Sequence, residues 1–263
     1  VDKDVIRNEV TRLLVSADSL EAFGERLFGL LRSIGSEEQA SGAAKYIPGV
    51  GESYGVPVPD LRVIASELAK WGKDHPERVF ELAGWLWESG VRDGRVIGAK
   101  VFEHVGKREP KRTFEIVSTL VEGIRNWEEC DQLACFGLRN VVKRCPELVF
   151  PRCETWVQSD AKWTRRFGVA VLTSLPKDKG YRPSGKEFAL LDEVMADPAR
   201  EVQDAVSWAL REIGKHHPRE VFDYLTRYAG SANRFTRRIV KQALKALPQA
   251  QQEMLNALRL SPR

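Results

Sequence analysis

"GKDHPERVF" (72–80) returns along the chain as "GKREPKRTF" (106–114), "VKRCPELVF" (142–150) and "GKHHPREVF" (214–222). Each copy runs Lys, two further residues, Pro, three residues, Phe. Pro76, Pro110, Pro146 and Pro218 stand 34, 36 and 72 residues apart, the last interval being two periods. "YRPSGKEF" (181–188) fills that gap with a degraded copy at Pro183. The pattern has a mechanism. A basic residue suits the C-terminal dipole of one helix, Pro pre-sets the first turn of the next, and Phe is expected to anchor that second helix in the core.

The segments around the copies fit. "LRVIASELAKW", "VIGAKVFEHV" and "VQDAVSWALREI" precede them as amphipathic helices, and "RVFELAGWLW" and "EVFDYLTRYA" follow, with no alternating strand pattern anywhere. Helix pairs at this period predict an all-α fold, an α-solenoid of HEAT-like repeats, curved with a concave basic groove. About five pairs are expected over 58–230. N-terminal helices and a Gly/Pro-rich loop ("YIPGVGESYGVPVPDL", 46–61) occupy 1–57, C-terminal helices fill 231–263, and 1–263 forms a single domain.

The composition excludes several classes. An apolar fraction of 43% and a charged fraction of 30% describe a soluble globular chain, and no apolar run of membrane-spanning length is present. No signal peptide is visible, and the start at Val1 without Met fits a trimmed or engineered terminus. Cys130, Cys135, Cys145 and Cys153 show no CxxC spacing and read as free thiols of an intracellular, cytoplasmic protein. His216-His217 reads as a helix-end pair, so no metal is expected. The net charge of +4 hides an asymmetry: residues 1–160 carry 22 basic and 26 acidic side chains, residues 161–263 carry 19 and 11. A basic half points to a polyanion, with nucleic acid the first candidate and a solvated surface the alternative.

Standard catalytic signatures are absent: no P-loop, no GxSxG, no HExxH. Three segments remain. In "GIRNWEECDQLACFGLRNVV" (123–142) Asn126 reads as an N-cap with Glu129 completing a capping box and Trp127 as the first helical residue. Asp131 then falls past the first turn, on the same expected face as Trp127, Ala134, Leu138 and Val141 or Val142. A carboxylate there, in an apolar stripe, calls for a reason. "KWTRRFGVAV" (162–171) carries Trp163 and Arg166, and "QDAVSWALREI" (203–213) carries Trp208. Their spacing makes them equivalent helices of successive repeats, so Trp127, Asp131, Arg166 and Trp208 are candidates to line one side. The alternatives are ordinary: core tryptophans, with Trp156 and Trp163 the clearest, and an Asp131 paired to Arg166, to Arg139 or to a backbone amide.

These same residues carry a resemblance. The chain is similar to the DNA alkylation repair glycosylases built from HEAT-like repeats, the AlkD-like family. "YGVPVPDLRVIASELAK" (54–70) resembles the family's opening signature, and "NWEECDQLA" (126–134) has its Trp, three residues, Asp. "WTRRFGVAVL" (163–172) resembles its Trp-x-x-Arg helix start, and "VSWALREIGKHHPREVFDYL" (206–225) its Trp-Ala-Leu-Arg-Glu segment. "NRFTRRIVKQAL" (233–244) fits its basic last repeat. Two positions depart: Glu128 stands where a second aromatic is common, and Ser207 where Gly is common before the second Trp.

The resemblance implies excision of cationic N3- and N7-alkylpurines, such as 3-methyladenine and 7-methylguanine, from double-stranded DNA by hydrolysis of the N-glycosidic bond. The base would not be enclosed in a pocket. Asp131 would stabilise the oxocarbenium-like sugar and place water, and Trp127 and Trp208 would pack on the sugar. Arg166 would hold a phosphate, with Arg165, Arg211, Arg234, Arg237, Arg238 and Lys241 a pool of further DNA contacts. No cofactor, no membrane and a monomer are expected. The alternative is a non-catalytic HEAT-repeat scaffold that binds DNA or protein.

Overall fold

The computed structural model describes residues 2–17 and 19–260, and every regular element among them is helical. The chain divides into two compact units, the first running to Val141 and the second starting at Val142. The first contains α1 (Lys3–Ser16), α2 (Leu20–Ile34), α3 (Glu37–Tyr46), α4 (Val58–Trp71), α5 (Pro76–Glu88), α6 (Arg92–Val105), α7 (Pro110–Leu120) and α8 (Trp127–Gln132). Here α1, α4, α6 and α8 pack side by side as one row, and α2, α5 and α7 follow one another as a second layer behind it. After α9 (Arg139–Arg144), the second unit contains α10 (Pro146–Val157), α11 (Lys162–Ala170), α12 (Lys186–Asp192), α13 (Arg200–Gly214), α14 (Pro218–Thr226), α15 (Arg234–Ala243) and α16 (Gln249–Leu260). It repeats the plan, with α11, α13 and α15 in one row and the contacts α10 to α12 and α14 to α16 in the other. Repeating helix pairs without a sheet make a HEAT-like architecture.

Pro76, Pro110, Pro146 and Pro218 each open their helix, as the repeat predicts. The four residues before them share one conformation, φ from −127° to −135° and ψ from 56° to 67°. A following proline drives its predecessor out of the helical region, so the same local sterics terminate the preceding turn each time. His217 is one of these residues, which makes the His216-His217 pair a helix-boundary feature. Two expectations need correction. Phe80 and Phe150 are buried, but Phe114 and Phe222 are only half-buried; the residue buried in all four copies is the one before, Val79, Thr113, Val149 or Val221. Pro183 does not open a helix. It lies ahead of Gly185, whose φ of +88° caps α12, and the start is secured instead by Glu187, which accepts from the Ser184 N–H and hydroxyl, both at 3.0 Å.

The Gly/Pro-rich loop between α3 and α4 is pinned to α6. The fully buried Asp93 carboxylate accepts from the Ser53 hydroxyl at 3.0 Å and from the N–H groups of Tyr54 and Val56 at 2.8 and 2.9 Å. Three donors on one carboxylate compensate its desolvation. Gly55, in the middle, has φ +71°, and a side chain there would strike the Ser36 carbonyl. Among the described residues, no helix is long and apolar enough to cross a membrane.

Candidate active site

The cap of α8 forms as its sequence predicts, with a one-residue shift in half of it. Asn126 Oδ1 accepts from the Glu129 N–H at 3.0 Å, while the Glu129 carboxylate reaches back to the Arg125 N–H at 2.8 Å, one residue beyond the N-cap. Both glutamates of this turn are buried in ion pairs with α6. Glu128 takes the Arg92 guanidinium through two parallel bonds of 2.7 and 2.6 Å, and Glu129 meets Arg95 at 2.5 Å. Burial works to lower the Arg92 pKa, but the Glu128 bonds and charge outweigh it and the guanidinium titrates above its ordinary range. For Arg95 burial wins against Glu129, and its pKa falls. Glu128, where the resemblance leads one to expect an aromatic, is thus half of a bidentate pair that locks α8 to α6.

The helix does not continue as one piece. The Leu138 N–H bonds to the Leu133 carbonyl at 3.1 Å, five residues back, and Leu133–Gly137 forms a π turn between α8 and α9. This overturns the single apolar stripe. Ala134, Leu138, Val141 and Val142 are buried, whereas Trp127, Asp131, Gln132, Phe136, Arg139 and Asn140 are half-buried on the other side. The extra residue in the π turn keeps Phe136 in line with Asp131, so the solvent-reaching face stays continuous through the break. Asp131 is therefore not set among core side chains; it stands one turn beyond Trp127 on an accessible face.

Trp127 has a neighbour that the sequence does not advertise. Tyr46, at the end of α3 and 79% exposed, meets its ring edge to face with centroids 6.1 Å apart. The two rings border a cleft of about 450 Å³, with Arg92, Glu128, Val56 and Pro57 also lining it. Nothing in the Tyr46 context marks it: α3 buries none of its residues, so it lacks an amphipathic signal.

In the second unit the row α11–α13–α15 carries the remaining candidates. Arg166 is 6% exposed and donates to the Glu201 carbonyl at 2.8 Å. Arg165 pairs with Asp197 at 2.6 Å and donates to the carbonyls of Ser159 and Asp160, both at 2.8 Å. Arg238 bonds Asp204 at 2.6 Å and Gln203 at 3.3 Å. Trp208 and Arg211 are half-buried on α13, three residues apart, and so share a face. Arg237 and Lys241 are exposed on α15, as is Arg234 at its start. Ser207, the second departure, is buried and its hydroxyl bonds the Gln203 carbonyl at 2.8 Å, within its own helix. Trp156 is core, edge to face with Phe167 at 4.9 Å, but Trp163 is only half-buried, beneath Lys162. The charge asymmetry follows the division of the chain: residues 1–141 have 19 basic and 23 acidic side chains, residues 142–263 have 22 and 14.

These features give a half-buried carboxylate beside an indole in one unit and a cation-rich helix row in the other. No curated protein matches the chain. The family model described as DNA alkylation repair enzyme matches residues 29–247, and the chain belongs to that family.

Proposed function

We propose that this member of the family is a DNA glycosylase that excises N3- and N7-alkylated purines from duplex DNA. Asp131 carries the reading: a carboxylate on the accessible face of α8, one turn from Trp127. A purine alkylated at N3 or N7 is cationic and already a good leaving group. What its departure requires is stabilisation of the deoxyribose, which becomes oxocarbenium-like as the N-glycosidic bond breaks. A fixed carboxylate near C1′ supplies that charge and can orient the attacking water. The Trp127 face adds an electron-rich surface for the cation, and Tyr46 packs against it edge to face. The second unit brings Trp208 to the accessible side of its own row, with Arg211 one turn on.

Arg211, Arg237 and Lys241 are proposed to meet backbone phosphates directly. Arg165, Arg166 and Arg238 add their charge to that field while their N–H groups tie the helices of the row together. Selectivity on this reading comes from the lability of the cationic lesion, and neutral lesions are poor substrates.

The test is release of free 7-methylguanine from methylated duplex, with DNA affinity measured alongside. Asp131→Asn should release base roughly 100- to 1,000-fold more slowly than wild type, about 3–4 kcal/mol in the barrier, with affinity retained. A variant that unfolds would make the carboxylate structural. A folded, DNA-binding wild type that releases no base would leave the scaffold reading standing.

A further inference from the structure

Five residues beyond Asp131 the same accessible face opens on a second cleft, of about 470 Å³, lined by Arg62, Lys100, Glu103, His104, Phe136 and Arg139. Its central feature is Lys100, on α6. The residue is 2% exposed, and its Nζ has no hydrogen-bond partner among the described residues. A buried, unsatisfied ammonium is costly, and an apolar side chain would fill the position without that cost. The cations around it are not balanced. Arg139 takes the Glu103 carboxylate at 2.6 Å, and Arg62 makes no ion pair among the described residues. Three cations thus share one carboxylate, in a unit whose formal charge is negative.

The floor of the cleft is Phe136. Lys100 Nζ lies 2.6 Å from its ring centroid, and the Arg139 and Arg62 guanidinium carbons lie at 4.6 and 6.0 Å. The ring face partly replaces water for these cations but accepts none of their N–H hydrogens conventionally. Donors therefore remain for an anion, and a tetrahedral oxyanion can take several at once.

We propose that this cleft is a phosphate subsite for the DNA backbone, with Lys100 as its central cation and Arg62 and Arg139 flanking it. The choice of a DNA phosphate over a free one comes from position. Phe136 follows Asp131 by one π turn, and a helical turn rises roughly 5 Å. One strand of duplex advances about 3.4 Å per nucleotide, so the cleft falls within a nucleotide or two of a sugar held at Asp131. This assignment rests on the reading that the chain binds DNA, not on base excision.

A proton should accompany the phosphate. Burial lowers the Lys100 amine to about 7; Glu103 opposes that, while Arg62 and Arg139 add to it. The titratable and charged groups facing it are Glu103 and His104 from its own helix, Arg62 from α4, and Cys135 and Arg139 from the π turn and α9. An arriving phosphate favours the ammonium, so binding above pH 7 takes up a proton, and affinity falls as pH rises toward 9.

The experiment uses the full chain, an unmodified duplex and, separately, inorganic phosphate. Lys100→Met should weaken duplex binding on the order of tenfold near pH 7. It should also flatten the slope of log K against log salt by about 0.9 and abolish the proton uptake. Arg62→Gln, at an exposed position, should flatten the slope and keep the uptake, and it decides the matter alone if Lys100→Met fails to fold. Unchanged slope and affinity in every folded variant would overturn the subsite. Loss of inorganic phosphate binding in Lys100→Met, with duplex binding unaffected, would overturn the DNA assignment in favour of a free anion. If these shifts appear in a chain that releases no methylated base, the subsite stands and the glycosylase reading fails.

Discussion

The two units present cations and acids in opposite ways. In the first, which is acid-rich by count, the glutamates of α8 are sunk into pairs with Arg92 and Arg95, and Lys100 Nζ has no hydrogen-bond partner among the described residues. In the second, which is base-rich, Arg165, Arg166 and Arg238 are committed to internal acceptors, and the reach toward solvent falls to residues such as Arg237 and Lys241. Net charge therefore says little about where an anion binds. What matters is which N–H groups remain after the fold has used its share. An acid-rich unit can hold a sharper anion site than a base-rich one.

The largest effect expected from this contrast is on stability. Glu129 is nearly buried and serves Arg95, Arg125 and the Arg125 N–H at once. Glu129→Ala leaves the buried Arg95 uncompensated and removes half of the α8 cap. The cost should be about 3–5 kcal/mol in urea unfolding. A loss below about 1 kcal/mol would mean that the pair is solvated and that α8 is fixed by packing alone.

Lys100 should show itself in the pH dependence of the same measurement. Its folded pKa, about 7, lies below the ordinary 10.5, so the unfolded chain binds more protons between those values. The penalty is fully present below pH 7 and is relieved as pH rises toward 10.5. Relative to Lys100→Met, wild type should gain roughly 2 kcal/mol between pH 7 and pH 9. Parallel profiles for the two proteins would show that the amine is hydrated in solution.

Much of this architecture was legible in the chain, for identifiable reasons. The Pro-x-x-x-Phe copies give the helix boundaries because proline acts locally, on its own φ and on its predecessor, and all four intact copies adopt the same turn. The Asn126 cap was equally readable. The π turn was not: 3.6-residue counting placed Asp131 with Ala134 and Leu138, and one extra residue moved it to the other face. Nor was the split among the arginines. Periodicity assigns Arg165 and Arg166 to a helix start, but whether a guanidinium meets solvent or a carbonyl 35 residues away, as Arg166 does, is settled only by packing. Lys100 sits in the amphipathic segment "VIGAKVFEHV", where nothing in the sequence marks it for burial, yet it is enclosed almost on every side.

The smallest effects bear most directly on the division of labour in the second unit. Arg165→Ala removes bonds to two carbonyls and to Asp197, whose side chain is itself buried. It should cost about 1.5–3 kcal/mol of stability. Arg237, exposed and bonded among the described residues only to the Ala232 carbonyl at 3.1 Å, should behave inversely. Arg237→Ala should leave stability within about 0.5 kcal/mol yet lower the salt slope of duplex binding by about 0.9, uniformly across sequences. Lys241→Ala should add a similar decrement, because the two are four residues apart on α15 and reach separate phosphates. If Arg165→Ala flattened the slope while Arg237→Ala did not, the internally bonded arginines would have to exchange their carbonyls for phosphates on binding. The second unit would then be a site assembled by DNA and not one presented to it.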